Sequence, residues 1–266
     1  MTAMRILVTN DDGILAEGLL MLKRALEPLG EVFVVAPERP RSGSGHSITL
    51  HKPLRLHTVR LADDSLGYST NGTPSDCVTL GVTVVMNGRC DLVFSGINQG
   101  ANLGWDVTYS GTVSAAMEGA IFNIPSVAIS VCCGEDETPE YDAAFHFARK
   151  LAEVLRERRL PSHTLLNVNV PSRTMEQVKG VAITRQGTRQ YVDRVEARVD
   201  PWGRKYYWLT GSLANEEVPP DSDVAAIRAG KISVTPIHLD LTAEALLDEL
   251  RRWPLAKGTL YNGFAG

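Results

Sequence analysis

Apolar residues along the first half of the chain alternate between two spacings. Arg5–Thr9 is a short, nearly continuous apolar run of the kind that forms a buried strand. After a polar stretch, Leu19, Leu22, Leu26 and Leu29 recur at helical intervals, which predicts a helix that Gly30 stops. Val32–Ala36 predicts a second strand, and Pro37–Ser47, rich in Pro, Arg, Gly and Ser, a long loop. Residues 47–70 predict short extended segments. Thr73-Pro74-Ser75-Asp76 predicts a helix start, with Thr73 at the N-cap, Pro74 in the first turn and Asp76 at the positive end. Asp91–Ser95 then reads as a third strand, Val113 to Ile121 as a helix, and Val127–Val131 as a fourth strand. Tyr141–Arg158 reads as a helix and Thr164–Val170 as a fifth strand.

Strands alternating with helices require crossover connections. The expected fold is therefore α/β: a Rossmann-like, doubly wound, mostly parallel sheet with helices on both faces. In such sheets ligands bind beyond the carboxyl ends of the strands. The rest of the chain differs. Gln190–Glu196 and Lys205–Leu209 are extended and carry aromatics around the turn Asp200-Pro201-Trp202-Gly203, which predicts a β-hairpin. Asp223–Ala229 predicts a short helix, Ile232–Thr235 a strand and Thr242–Trp253 a last helix. The expected division is a catalytic unit over 1–185 and a hairpin and carboxy-terminal extension over 186–266, in one compact body. A two-stranded hairpin is marginal alone, so a role in oligomerisation is expected for it.

Composition narrows the function classes. The chain has 266 residues, 44% hydrophobic and 22% charged, with net charge −4. The mild negative charge argues against a duplex nucleic-acid partner. No apolar run approaches the roughly 20 residues of a membrane helix, and the amino-terminal segment lacks the order of a signal peptide, so a cytoplasmic location is expected. The cysteines Cys77, Cys90, Cys132 and Cys133 form no C-x-x-C pair, and the adjacent pair reads as small buried hydrophobes.

Four polar segments leave the expected functional edge of the sheet. Thr9-Asn10-Asp11-Asp12-Gly13 places two carboxylates where the first strand ends. Asn, Asp and Gly are also turn formers, but adjacent carboxylates repel unless a cation or proton compensates. Pro37–His46 brings hydroxyls, glycines and arginines. It lacks the lysine and helix context of a P-loop. Ser95–Gly104 reads as a long glycine-rich loop offering Asn98 and Asn102. Tyr109-Ser110-Gly111-Thr112 opens a helix; Ser110 and Thr112 suit capping there, and a helix amino terminus also suits phosphate. Carboxylate, amide and hydroxyl oxygens suit Mg²⁺ or Mn²⁺ better than zinc or copper. A hard cation beside a helix amino terminus points to phosphoryl chemistry.

Asn10-Asp11-Asp12-Gly13, Arg41-Ser42-Gly43, Asn71-Gly72-Thr73-Pro74-Ser75-Asp76, Ser95-Gly96-Ile97-Asn98 and Tyr109-Ser110-Gly111-Thr112 occur in this order. Together with Asp200-Pro201-Trp202-Gly203, Tyr206-Tyr207-Trp208 and Ser233-Val234-Thr235-Pro236, they make nearly the whole chain resemble the SurE family, the survival-protein nucleotidases of bacteria and archaea. The resemblance implies a Rossmann-like domain with an extension exchanged between subunits of a homodimer or homotetramer. It implies hydrolysis of nucleoside 5′- and 3′-monophosphates and, for some members, shortening of polyphosphate. It places one divalent metal ion per subunit on Asp11, Asp12, Ser42 and Asn98, with Asp11 and Asp12 catalytic and Asn102, Ser110, Gly111 and Thr112 facing the phosphate. Activated water is favoured over an aspartyl-phosphate route, because haloacid-dehalogenase-type phosphatases carry Asp-x-Asp where this chain has Asp11-Asp12. Two other readings compete. A nucleotide-binding regulator without turnover would use the same edge, but the paired aspartates would repel its phosphate. A Rossmann dehydrogenase lacks its G-x-G-x-x-G after the first strand. Tyr191, Trp202, Tyr206, Tyr207 and Trp208 suit a subunit interface, with stacking on a base as the alternative.

Overall fold

The computed structural model describes residues 3–134, 137–188, 191–213 and 218–253. Its centre is a nine-stranded sheet in the order β3-β4-β2-β1-β5-β6-β7-β11-β8. The strands are β1 (Met4–Thr9), β2 (Gly30–Pro37), β3 (Leu56–Arg60), β4 (Leu66–Thr70), β5 (Leu92–Gln99), β6 (Ser126–Cys132), β7 (Thr164–Pro171), β8 (Val181–Ile183) and β11 (Ile232–His238). The run β4-β2-β1-β5-β6-β7 is parallel throughout. The antiparallel exceptions are β3 on β4 and β11 on β7. The connection from β3 to β4 is too short for a crossover and only folds the chain back.

Period-two alternation along the central strands sends successive side chains to opposite faces. Ile6, Val8 and Phe94 pack with α1 (Glu17–Leu26) and α4 (Asp142–Glu157). Leu7 and Val93 pack with α2 (Pro74–Leu80) and α3 (Gly111–Ile121). α2 begins as expected: the Thr73 hydroxyl accepts from the Asp76 amide, and the Asp76 carboxylate accepts from the Thr73 amide. α1 ends earlier than its leucine spacing predicts. Pro28 cannot donate an amide, so Glu27–Leu29 tightens into a 3-10 turn and Gly30 opens β2. Gly30 is needed for approach, since a Cβ there would lie 2.1 Å from the Met4 carbonyl oxygen.

β9 (Tyr191–Val199) and β10 (Lys205–Leu213) form a separate antiparallel hairpin around the expected turn. Gln190 lies outside the described residues, as does the side chain of Tyr191. Trp202, Tyr207, Trp208 and Leu209 are exposed on this hairpin. α5 (Asp223–Arg228) and α6 (Glu244–Leu250) complete the described chain, and no described helix is long and apolar enough to cross a membrane. Cys132 and Cys133, expected to be buried, are half-buried where β6 runs out.

Lys23 of α1 is almost fully buried and donates to Glu27 at 2.5 Å and to Asp63, in the β3–β4 turn, at 2.8 Å. Burial alone raises the Asp63 carboxyl, but hydrogen bonds from Lys23 and Ser65 and the Lys23 charge hold it well below the usual carboxylate range. Its contribution is therefore present above the ordinary carboxylate pKa and is lost as pH falls through the depressed folded value. Asp63→Asn should lower unfolding stability at pH 7 by about 1.5–3 kcal/mol, as expected for a hydrogen bond to a charged group. Urea titration should show that deficit shrinking as the pH falls below about 4. A deficit that is constant with pH would contradict the ion pair.

Candidate active site

The parallel order β2-β1-β5 contains the topological switch point. The chain leaves β1 for β2 on one side, and β5 enters on the other. Crevices form outside the carboxyl ends of strands at such points. Thr9-Asn10-Asp11-Asp12 leaves β1 there, and Ser95–Gln99 is the end of β5. Gly96–Gln99, expected as loop beyond a strand ending at Ser95, is in fact strand. Gly96 and Ile97 sit opposite a single residue of β6, so the register shifts between Ser95 and Asn98. Gly96 permits this bulge with φ 135°, and a Cβ there would lie 2.2 Å from the Ile129 carbonyl oxygen.

Asn10 shapes the loop that carries the carboxylates. It is fully buried, donates from Nδ2 to the Gly13 carbonyl and accepts the Gly13 amide on Oδ1. Asp11 is thereby aimed at the first turn of α3. The Thr112 hydroxyl donates to Asp11 Oδ1 at 2.5 Å, and the Gly111 and Thr112 backbones also hydrogen-bond this carboxylate. Burial pushes the Asp11 carboxyl up, and those hydrogen bonds oppose it. The fit requires glycine at 111, because a Cβ there would lie 2.7 Å from Asp11 Cβ. Ser110 is the N-cap, with Oγ accepting the Val113 amide at 3.1 Å.

Asp12 is half-buried beside Asp11. Burial and the Asp11 charge push its carboxyl up to about 6, against a hydrogen bond from the Gln99 backbone. Asn98 donates its Nδ2 to the Gly100 carbonyl at 2.9 Å, so Oδ1 is the atom left to coordinate. Ser42 is exposed, and its segment is tied in by the Arg41 amide donating to the Asp11 carbonyl at 2.7 Å. The loop is tied again where the Gly45 amide donates to the Tyr109 carbonyl at 3.1 Å. Among the described residues no group of three or more His, Cys, Asp or Glu side chains gathers as a metal cluster. The donor set is two carboxylates with neutral amide and hydroxyl oxygens. It fits a hard divalent cation, which would offset the charge that burial and repulsion disfavour.

The expected phosphate residues divide. Ser110, Gly111 and Thr112 stand at the site: Gly111 and Thr112 are engaged by Asp11, and Ser110 caps the helix. Asn102 is buried and anchored: its Nδ2 donates to Ser130 Oγ, its amide to Asn169 Oδ1, and its carbonyl accepts from Asn167 and Asn169. Four further contributors were not assigned a site role from the sequence, although Arg41 stands in the Arg41-Ser42-Gly43 motif. Arg41 donates Nη2 to the Asn71 carbonyl, and its Nε is buried without a partner at the edge of the site. Asn167 and Asn169 hold the Asn102 loop. Asp223, fully buried, accepts the Gly104 and Gly187 amides at 2.8 and 2.9 Å. The motif position of Arg41 and the asparagines alternating along the otherwise apolar β7 were the only hints.

The sequence model of the family described as "Survival protein SurE" matches residues 6–193. The chain belongs to the SurE family. A Carboxydothermus hydrogenoformans protein named 5'-nucleotidase SurE is 48% identical over 265 residues, covering 98% of this chain and 100% of that protein. A Geobacter metallireducens protein of the same name is 46% identical over 258 residues, covering 97% and 100%. The crystal structure of the SurE protein from Aquifex aeolicus superposes with a TM-score of 0.81 at 40% identity, covering 93% of this chain and 98% of that one. The SurE model spans β1 to the start of the hairpin, and so includes every residue of the switch-point site.

The SurE site predicts its own instability when no cation is bound. Because folded Asp12 holds its proton more tightly than the unfolded chain does, its contribution is fully present below the ordinary carboxylate range and is lost as pH rises through about 6. Asp12→Asn cannot lose it. In EDTA, the variant should be more stable than the native protein above pH 6 by about 1–3 kcal/mol, with the gain disappearing near pH 4. Denaturation across that pH range checks this, and an Asp12→Asn protein less stable at pH 8 would refute it.

Proposed function

We propose that the chain hydrolyses nucleoside 5′-monophosphates to nucleoside and inorganic phosphate, with one Mg²⁺ or Mn²⁺ per subunit. The observation that carries this reading is the Asp11–Asp12 pair at the switch point, with Asp11 buried against the amino terminus of α3 and Asp12 half-buried beside it. The nucleotidase names of the relatives support it. Asp11, Asp12, Asn98 and Ser42 would hold the cation, which supplies Lewis-acid polarisation of the phosphoryl oxygens and a nucleophilic water at neutral pH. Asp11 and Asp12 orient the attacking water opposite the leaving nucleoside oxygen. Water adds to phosphorus, the ester P–O bond breaks, and the nucleoside hydroxyl leaves with a proton derived from that water. The dipole of α3 at Ser110–Thr112 would stabilise equatorial charge on the phosphoryl group, with Arg41 as a nearby cation and Asn102 fixing the loop that leads into α3.

The groups at this site address the phosphate rather than the sugar. We extend the reading to nucleoside 3′-monophosphates and to the terminal phosphate of polyphosphate. The exposed aromatics of the β9–β10 hairpin support a homodimer or homotetramer built on that element.

Phosphate release from a panel of nucleoside 5′- and 3′-monophosphates, with Mg²⁺, Mn²⁺ or EDTA, tests the proposal. Release should need metal, and kcat/KM should fall at least about a hundredfold in Asp11→Asn and in Asp12→Asn at limiting metal, the scale of losing a key electrostatic group. Nucleotide binding without release in any metal would overturn it in favour of a regulator. Trapping of an aspartyl phosphate would overturn the water mechanism.

A further inference from the structure

A cleft of about 600 Å³ lies at the opposite edge of the sheet from the switch-point site. Its walls include Met4, which begins β1, Asp91, which precedes β5, Pro125, which precedes β6, and Thr164, which begins β7. These are the amino ends of the strands whose carboxyl ends frame the Asp11–Asp12 crevice. The volume falls within the range of small-molecule sites, roughly 300–1,000 Å³.

The polar rim is cationic. Arg156, in the last turn of α4, and Arg159, just beyond it, both face the cleft. Neither has a hydrogen-bond or ion-pair partner among the described residues. Basic residues commonly complement the negative end of a helix, yet neither guanidinium here donates to a carbonyl of α4, so both forks are free. His163, Ser162, Thr164 and Asn123 add further polar groups. The facing acid is Asp91, whose Oδ2 already accepts the Arg5 amide at 2.8 Å. The floor is apolar and includes Ile124, Leu155 and Leu160. Asn123 and His163, on the turns into β6 and β7, both hold positive φ, 56° and 57°. Backbone held in this sparsely populated region often marks a working surface.

We propose that this cleft is a second ligand site, separate from the phosphohydrolase site, for a small organic phosphate. Arg156 and Arg159 take the anionic head by forked hydrogen bonds, the geometry that guanidinium offers phosphate. The apolar body of the ligand lies on Ile124, Leu155 and Leu160.

The probe is phenylphosphonate, whose C–P bond the enzyme cannot hydrolyse as an ester. Calorimetric titration in EDTA compares the native protein, Asp11→Asn, Arg156→Ala/Arg159→Ala and Arg156→Glu/Arg159→Glu. Circular dichroism confirms that each is folded, and both arginines are exposed, so their replacement leaves the core intact. Saturable binding should persist unchanged in Asp11→Asn, weaken at least tenfold in the double alanine variant and vanish on charge reversal. Absence of saturable binding to the native protein would overturn the proposal. So would an affinity that is the same in the arginine variants or is lost in Asp11→Asn. Failure of nucleotide hydrolysis leaves this test untouched, because it reads binding at the other edge of the sheet.

Discussion

The carboxylate of Asp11 is buried against the first turn of α3, and the rest of the crevice is arranged around that contact. Two distant parts of the chain must meet to make it: the end of β1 with the Asn10–Gly13 lock that follows it, and the Ser110-capped helix start. Helix amino termini favour negative charge, so α3 steadies an anion that burial disfavours. The contact tolerates no Cβ at Gly111. It also fixes where a second carboxylate falls, since Asp12 follows Asp11 directly and is held beside the Gln99 backbone at the end of β5. Two adjacent carboxylates, one buried and one half-buried, are costly unless a cation or a proton compensates. The site therefore stores unfavourable energy that the apolar layers on both faces of the sheet offset.

Those layers reach the site mechanically as well. α1 approaches β5 so closely that a Cβ on Gly18 would lie 2.0 Å from the Ile97 carbonyl oxygen. The bulge at Gly96–Ile97 is thus clamped between α1 on one face and β6 at its edge, and it sets Asn98 at the rim. On the far side, Asn167, Asn169 and Asp223 bind the backbone of the Asn102–Gly104 loop. Satisfied buried polar groups of this kind fix one geometry. The loop that precedes α3 is held by strands and a helix from the distant carboxy-terminal half of the chain.

Much of this was legible from local pattern. The apolar run of β1, the Thr73 capping signal, the aromatic hairpin and the Asp11-Asp12 pair at a strand end each follow from neighbouring residues. What escaped was decided by contacts between distant residues. Gly96 broke the apolar run, so β5 seemed to end at Ser95, whereas hydrogen bonding to β6 carries the strand on to Gln99. Pro28 interrupts a regular leucine spacing that by itself carries the helix on to Leu29. Asp223 reads locally as a helix-start acid, and its bond to Gly104 spans 119 positions. The first turn of α3 was read as a phosphate cradle, and it also holds Asp11, a pairing separated by 101 positions. Local periodicity reports burial and element type, but not which loop a buried polar group will bind.

On the proposed function, the Asp11–Asp12 pair is bridged by a divalent cation, with Asn98 and Ser42 adding neutral donors. The most direct measurement is equilibrium Mn²⁺ binding, by electron paramagnetic resonance, to the native protein, Asp11→Asn, Asp12→Asn and Asn98→Ala without nucleotide. One ion should bind per chain, its binding weakened at least tenfold by each substitution and most by those of the aspartates. Full-affinity binding in Asp11→Asn or Asp12→Asn would contradict it.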